Sequence, residues 1–178
     1  MRISKNFSLG EICKSDIGTR LGLPPNDPDE DNVISLTTVV QQCAQPLRDH
    51  FERPIRINSG FRNLETNRAV GSSDTSHHRA LNGFAALDLE IMGFDNKEMA
   101  QNIVKVLPSW HTLILELYDE KIKDPVKRAD SGWIHLSYHR NGENPKKILR
   151  AFRKGKKIVY EPWAVSYTHL TLPTILRV

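Results

Sequence analysis

The stretch FAALDLEI, residues 84–91, sets Asp88 between Leu87 and Leu89 in the middle of an apolar run. A run of this length and composition reads as a buried strand. Burying a lone carboxylate there costs several kcal/mol, so the fold must bring it a compensating cation. Two adjacent histidines, His77 and His78, precede it in the loop that leads into the strand. A third, His135, lies in another strand-like segment, GWIHLSYH, where alternation puts Trp133, His135 and Ser137 on one face.

The surrounding pattern predicts an α+β fold. Ser8 followed by Glu11 marks the start of a short helix. Val33, Leu36, Val40, Cys43, Leu47 and Phe51 recur at steps of three and four, which predicts one long amphipathic helix, kinked by Pro46. PIRINSGFR reads as a strand with Ile55 and Ile57 on one face, turning at Gly60. DNKEMAQNIVKVLP predicts a helix capped by Asp95 and ended by Pro108, and TLILELY, from Thr112, a strand with Ile114 and Glu116 on one face. A terminal hairpin follows. Helices first, then strands with one interposed helix, favour a small antiparallel sheet with helices packed on one side.

Composition narrows the function classes. With 39% apolar and 26% charged residues the chain is that of a folded globular protein. It has no run long enough to cross a membrane and no apolar segment of a signal peptide near Met1, so synthesis in a cytoplasm without stable membrane association is expected. Cys13 and Cys43 lack metal-ligand spacing and read as buried thiols. The segment 140–157 carries eight Lys or Arg against one Glu. Such a patch attracts polyanions, or simply keeps an edge hairpin soluble. It lacks interleaved stacking aromatics apart from Phe152, which argues against a nucleic-acid partner.

Asp88, His135 and one of His77 or His78 offer three ligands drawn from His and Asp. With one position left for water, that is the composition of a catalytic zinc site.

The segments INSGFRNLETNRAVGSSDTSHH, NGFAALDLEI, LILELYD and GWIHLSYH resemble the peptidase M15 family, the zinc D-alanyl-D-alanine carboxypeptidase-like group that includes phage endolysins. NFSLGEICKSD and CAQPLRDHFERPIRINSGFRN extend the resemblance over about residues 6 to 141. It implies a hedgehog/D-Ala-D-Ala-peptidase-like fold and places the metal ligands on His78, Asp88 and His135, with His77 the competing histidine. Arg62 and Ser76 fall on substrate-binding positions, and a guanidinium fork suits a peptide carboxylate.

Many relatives carry an acidic residue three positions before the last histidine ligand, where this chain has Gly132. The catalytic base is then expected at Glu116, with Asp130 as the alternative. The loop between His78 and Asp88 is also longer than the family pattern, and a β-bulge at Ala86 or Leu87 is expected to restore Asp88 to the ligand face, with Glu90 as fallback.

The implied function is a Zn²⁺-dependent peptidase cutting amide bonds in peptidoglycan stem or cross-link peptides, as a monomeric phage or prophage lytic enzyme reaching the cell wall after release. The alternative is a non-catalytic wall-binding or virion structural module on the same fold. One peptidase domain is expected over residues 1–164. VSYTHLTLPTILRV, residues 165–178, resembles adapter sequence read through in frame and is expected to be a non-native tail.

Overall fold

In the computed structural model, which describes residues 1–165, short capped helices lead into a sheet. Ser8 caps α1 (Leu9–Cys13) by accepting from the Glu11 N–H, and Ser15 caps α2 (Asp16–Leu21) through the Gly18 N–H. Asp29 and Asn32 form a reciprocal capping box that opens α3 (Glu30–Val39). The long amphipathic segment then departs from a simple kinked helix. A π-helical turn, Val40–Ala44, joins α3 to α4 (Gln45–Phe51), and Pro46 falls in the first turn of α4. The wider turn accommodates a residue that has no N–H to donate and whose ring would crowd the preceding carbonyls. Leu36, Val39, Val40, Cys43 and Leu47 stay fully buried through the change of winding.

The strands are β1 (Arg56–Ser59), β2 (Phe84–Glu90), β3 (Thr112–Glu116), β4 (Trp133–His139), β5 (Lys147–Lys154) and β6 (Lys157–Pro162). Short helices α5 (Leu64–Ala69) and α7 (Pro125–Ala129) and the longer α6 (Asn96–Val106) connect them. The six strands form one sheet in the order β1-β2-β4-β3-β5-β6. Every pairing is antiparallel except β3 with β5, so the α+β architecture follows the sequence pattern with one parallel step added.

Alternation divides this sheet into two unlike faces. Leu87 and Leu89 of β2, Ile134 and Leu136 of β4, and Leu113 and Leu115 of β3 are buried in one core with the residues of α3, the π turn, α4 and α6. Burial of such side chains contributes about 1.5–3 kcal/mol each. The opposite face carries Asp88, His135, Ile114 and Glu116, which line a cleft. Cys13 and Cys43 are free thiols, and burial pushes the Cys13 pKa up to about 11, with help from Asp27. Among the described residues no helix is long and apolar enough to cross a membrane. Most of the expected non-native tail, residues 166–178, lies outside the described residues.

Candidate metal centre

β2 and β4 pair without interruption from Phe84↔His139 to Leu89↔Ile134, which makes Asp88 and His135 direct partners. Opposed residues of an antiparallel pair project to the same face, so both reach the cleft side of the sheet. The expected bulge at Ala86 or Leu87 is absent from this ladder. The register shift lies instead in β1, between Ile57 and Ser59. The long loop is absorbed before β2 begins, by left-handed backbone at Ala80, Asn82 and Gly83. Asn32 of α3 holds that loop by donating to the Ala80 carbonyl at 3.1 Å.

His78 arrives from a 3₁₀ turn, His77–Arg79, whose first N–H groups are met by Ser76: its hydroxyl accepts from the His78 N–H. The turn is tied to the loop after β1 in both directions. The Arg62 N–H donates to the His78 carbonyl at 2.9 Å, and His78 Nδ1 donates to the Gly60 carbonyl at 2.7 Å. Gly60 is required there, because a Cβ would lie 2.4 Å from the Ile12 carbonyl oxygen. Since a carbonyl can only accept, the His78 proton sits on Nδ1 and Nε2 presents its lone pair to the cluster.

Three atoms converge at this point. His78 Nε2 lies 3.2 Å from Asp88 Oδ1 and 3.2 Å from His135 Nδ1, and His135 Nδ1 lies 3.0 Å from Asp88 Oδ1. His78 and Asp88 are buried and His135 half-buried. With both imidazoles neutral, the three atoms share at most one proton, on His135 Nδ1, for several facing lone pairs. A central cation resolves that arrangement. The separations also match the edge of a tetrahedron with metal bonds of ~2.0–2.1 Å, roughly 3.3 Å, so the residues fit a metal ion. Burial alone would raise the Asp88 pKa, yet positive charge on His78 and His135, were both rings protonated, holds it far below the ordinary carboxylate range, and a cation bound between neutral rings supplies the same charge. Arg62 braces the other carboxylate oxygen: its Nη2 donates to Asp88 Oδ2 at 2.9 Å, while Nε and Nη1 donate to Ser59 and Ser72.

The cluster floors a cleft of about 740 Å³ whose lining includes Arg62, Ser76, His78, Asp88, Glu116 and His135. Glu116 stands opposite Trp133 at the end of β3, on the same face as the cluster. Burial raises its pKa, with the charge of His135 opposing and that of Asp88 adding to the shift.

Other residues named by the sequence stay out of the cluster. Asp130 caps the C-terminus of α7, exposed and outside the cleft lining, because its backbone is fastened to α7 through the Val126 carbonyl. Glu90 pairs with Arg56 at the β1 edge. His77 also lines the cleft but is not one of the converging ligands: its ring stacks on Phe84 at 4.2 Å, with His111 and His139 packed around the same ring.

Gly132 explains why no acid precedes His135 at the usual spacing. Its φ is +66°, and a Cβ would sit 2.0 Å from the Glu116 carbonyl oxygen and 2.6 Å from the Tyr118 nitrogen. No side chain fits at that position.

Sequence reasoning missed the far wall of the cleft. Arg153, Ile158 and Tyr160 of the β5–β6 hairpin line it. Strand alternation along β5 could have grouped Ala151 with Arg153, but the parallel pairing that brings β5 beside β3 left no local signal.

A buried His–Asp–His cluster on one face of an α+β sheet, with a carboxylate in the same cleft, is a group that could hold a metal ion beside an acid–base residue. The family model for Peptidase M15 matches residues 5–116, which include Arg62, Ser76, His78, Asp88 and Glu116 and stop before His135. The chain belongs to the peptidase M15 family. No curated protein matches it.

Proposed function

We propose that the protein is a zinc-dependent peptidase that hydrolyses an amide bond in peptidoglycan stem or cross-link peptides, as a phage or prophage lytic enzyme. The observation that carries the reading is the convergence of His78 Nε2, Asp88 Oδ1 and His135 Nδ1 at 3.0–3.2 Å beside Glu116 in an open cleft.

His78, Asp88 and His135 would hold the ion, leaving the cleft side for water and substrate. Bound zinc supplies Lewis acidity, polarising the scissile carbonyl and making water a nucleophile near neutral pH. Glu116 acts as general base: its carboxylate takes the proton of the attacking water and returns it to the nitrogen of the leaving amine. A raised pKa suits both halves of that transfer. Arg62 holds Asp88 in its ligating orientation, and Ser76 shapes the approach to His78.

Purified protein is expected to clear cell-wall suspensions with release of new amino groups, to lose this activity with a chelator and to regain it with zinc. Binding of wall fragments without release of amines would instead establish a non-catalytic wall-binding module.

A further inference from the structure

The basic segment 140–157 is not a uniform charged patch. Arg140 pairs with Asp31, Arg150 pairs with Glu161, and Lys146 lies 5.2 Å over the Trp110 ring. Arg153 differs from these. It lines the metal cleft, is exposed, and has no ion pair or side-chain hydrogen bond among the described residues. Arg62, the other guanidinium of the cleft, spends Nε, Nη1 and Nη2 on Ser59, Ser72 and Asp88, and its side chain is only 13% exposed.

The position of Arg153 follows from the sheet. Ile114 is opposed by His135 on one side and Leu149 on the other, and Glu116 by Ala151, so Ala151 and Arg153 continue the cleft face outward. Tyr160, opposite Ala151, and Ile158, opposite Arg153, complete the wall. Ala151 is buried between Glu116 and Tyr160, its partners on the two neighbouring strands. The charges of Glu116 and Asp88, added to burial, raise the Tyr160 pKa, as their sharing of one cleft requires.

We infer that Arg153 is a specificity-determining residue that binds a carboxylate carried inside the peptide substrate, several residues from the scissile bond. The inference rests on the peptidase reading above and adds the substrate's charge. At ~4.8 Å per strand and ~3.3 Å per residue, Arg153 lies roughly 16 Å from His135 along the sheet. Even with the full reach of the side chain, the anion stands about three extended residues from the metal ligands. The terminal carboxylate of a single leaving residue is too close to the scissile carbonyl to reach it. The anion bound at Arg153 is thereby a carboxylate carried several residues along an acidic peptide from the scissile amide. A guanidinium with all its donors free gives such a carboxylate a bidentate partner.

The test uses the full chain loaded with zinc and carrying Glu116→Gln, so that binding is read without turnover. Paired synthetic peptides carry glutamate or glutamine three residues from a central Ala–Ala amide, on either side, and Kd is measured by calorimetry. The acid peptide of one pair is expected to bind about tenfold more tightly than its amide. Adding Arg153→Gln should erase that preference, and Arg153→Lys should retain part of it. Equal binding of acid and amide peptides, or a preference that survives Arg153→Gln, overturns the inference. Hydrolysis by the unsubstituted protein is measured separately: an Arg153-dependent preference without hydrolysis upholds this inference and rejects the peptidase reading, whereas hydrolysis without the preference does the reverse.

Discussion

Asp88 and His135 stand opposite each other on neighbouring antiparallel strands, with His135 Nδ1 3.0 Å from Asp88 Oδ1. The ladder itself aligns two of the three proposed ligands, and only His78 must be delivered by a loop. Removing any one of the three leaves too few ligands for tight binding. His78→Ala, Asp88→Ala and His135→Ala are each expected to lose the stoichiometric zinc of the unsubstituted protein in elemental analysis after dialysis. Zinc should also raise the melting temperature of the unsubstituted protein alone, because the ion binds the folded state. Equal zinc in all four proteins would remove the site.

Glu116 and Asp130 are separated by position, since one lines the cleft and the other lies outside it. Glu116→Gln should lower kcat about 10²–10⁴-fold while zinc content is kept, and Asp130→Asn should leave kcat within about twofold. The base must be ionised to act, and burial raises the Glu116 pKa. Activity of the unsubstituted protein should therefore fall with decreasing pH along a limb displaced above the ordinary glutamate range. A full pH profile of kcat for both variants checks the assignment.

At Gly132, reinstating the acid common in the family should harm the protein. Gly132→Glu places a Cβ against the Glu116 carbonyl and demands a left-handed backbone of a non-glycine residue. Gly132→Ala, which tests the backbone without the charge, is expected to cost about 2–4 kcal/mol in urea unfolding. Both variants should displace Glu116 and reduce activity. Unchanged stability in Gly132→Ala would contradict the close approach of β3 and β4 at this point.

His77 supplies a pH-dependent contribution to stability. Burial against Phe84, with the neighbouring histidines, depresses its pKa from 6.5 to about 4. The unfolded chain takes up this proton more readily, so the contribution is present above pH 6.5 and lost as pH falls towards 4. After allowance for the solvent that reaches the ring, it is worth about 1–2 kcal/mol. Urea unfolding of zinc-free protein at pH 7 and pH 4.5 should show a larger acid loss for the unsubstituted chain than for His77→Gln. Equal losses would place the His77 ring in solvent.

Much of this protein was legible in local pattern. The apolar periods of the segments 33–51 and 112–118, the capping residues Ser8 and Asp95, and a lone Asp88 among leucines all foretold elements and a charge in need of a partner. The motifs around Arg62, His78 and His135 foretold the family. These signals survive in sequence because burial, capping and strand alternation act between residues a few positions apart.

Tertiary structure decided the rest. It took His78 rather than His77 to the cluster, because the Gly60 carbonyl captures one ring and Phe84 the other. It moved the bulge from β2 to β1 and let left-handed loop residues absorb the extra length. It set Gly132 against β3, so that an acid could not precede His135 and Glu116 was left facing the cleft. It also brought Arg153 into that cleft through a parallel pairing between distant strands. Each outcome depends on contacts between segments far apart in the chain, whose register is set by packing of the whole sheet and by no local pattern.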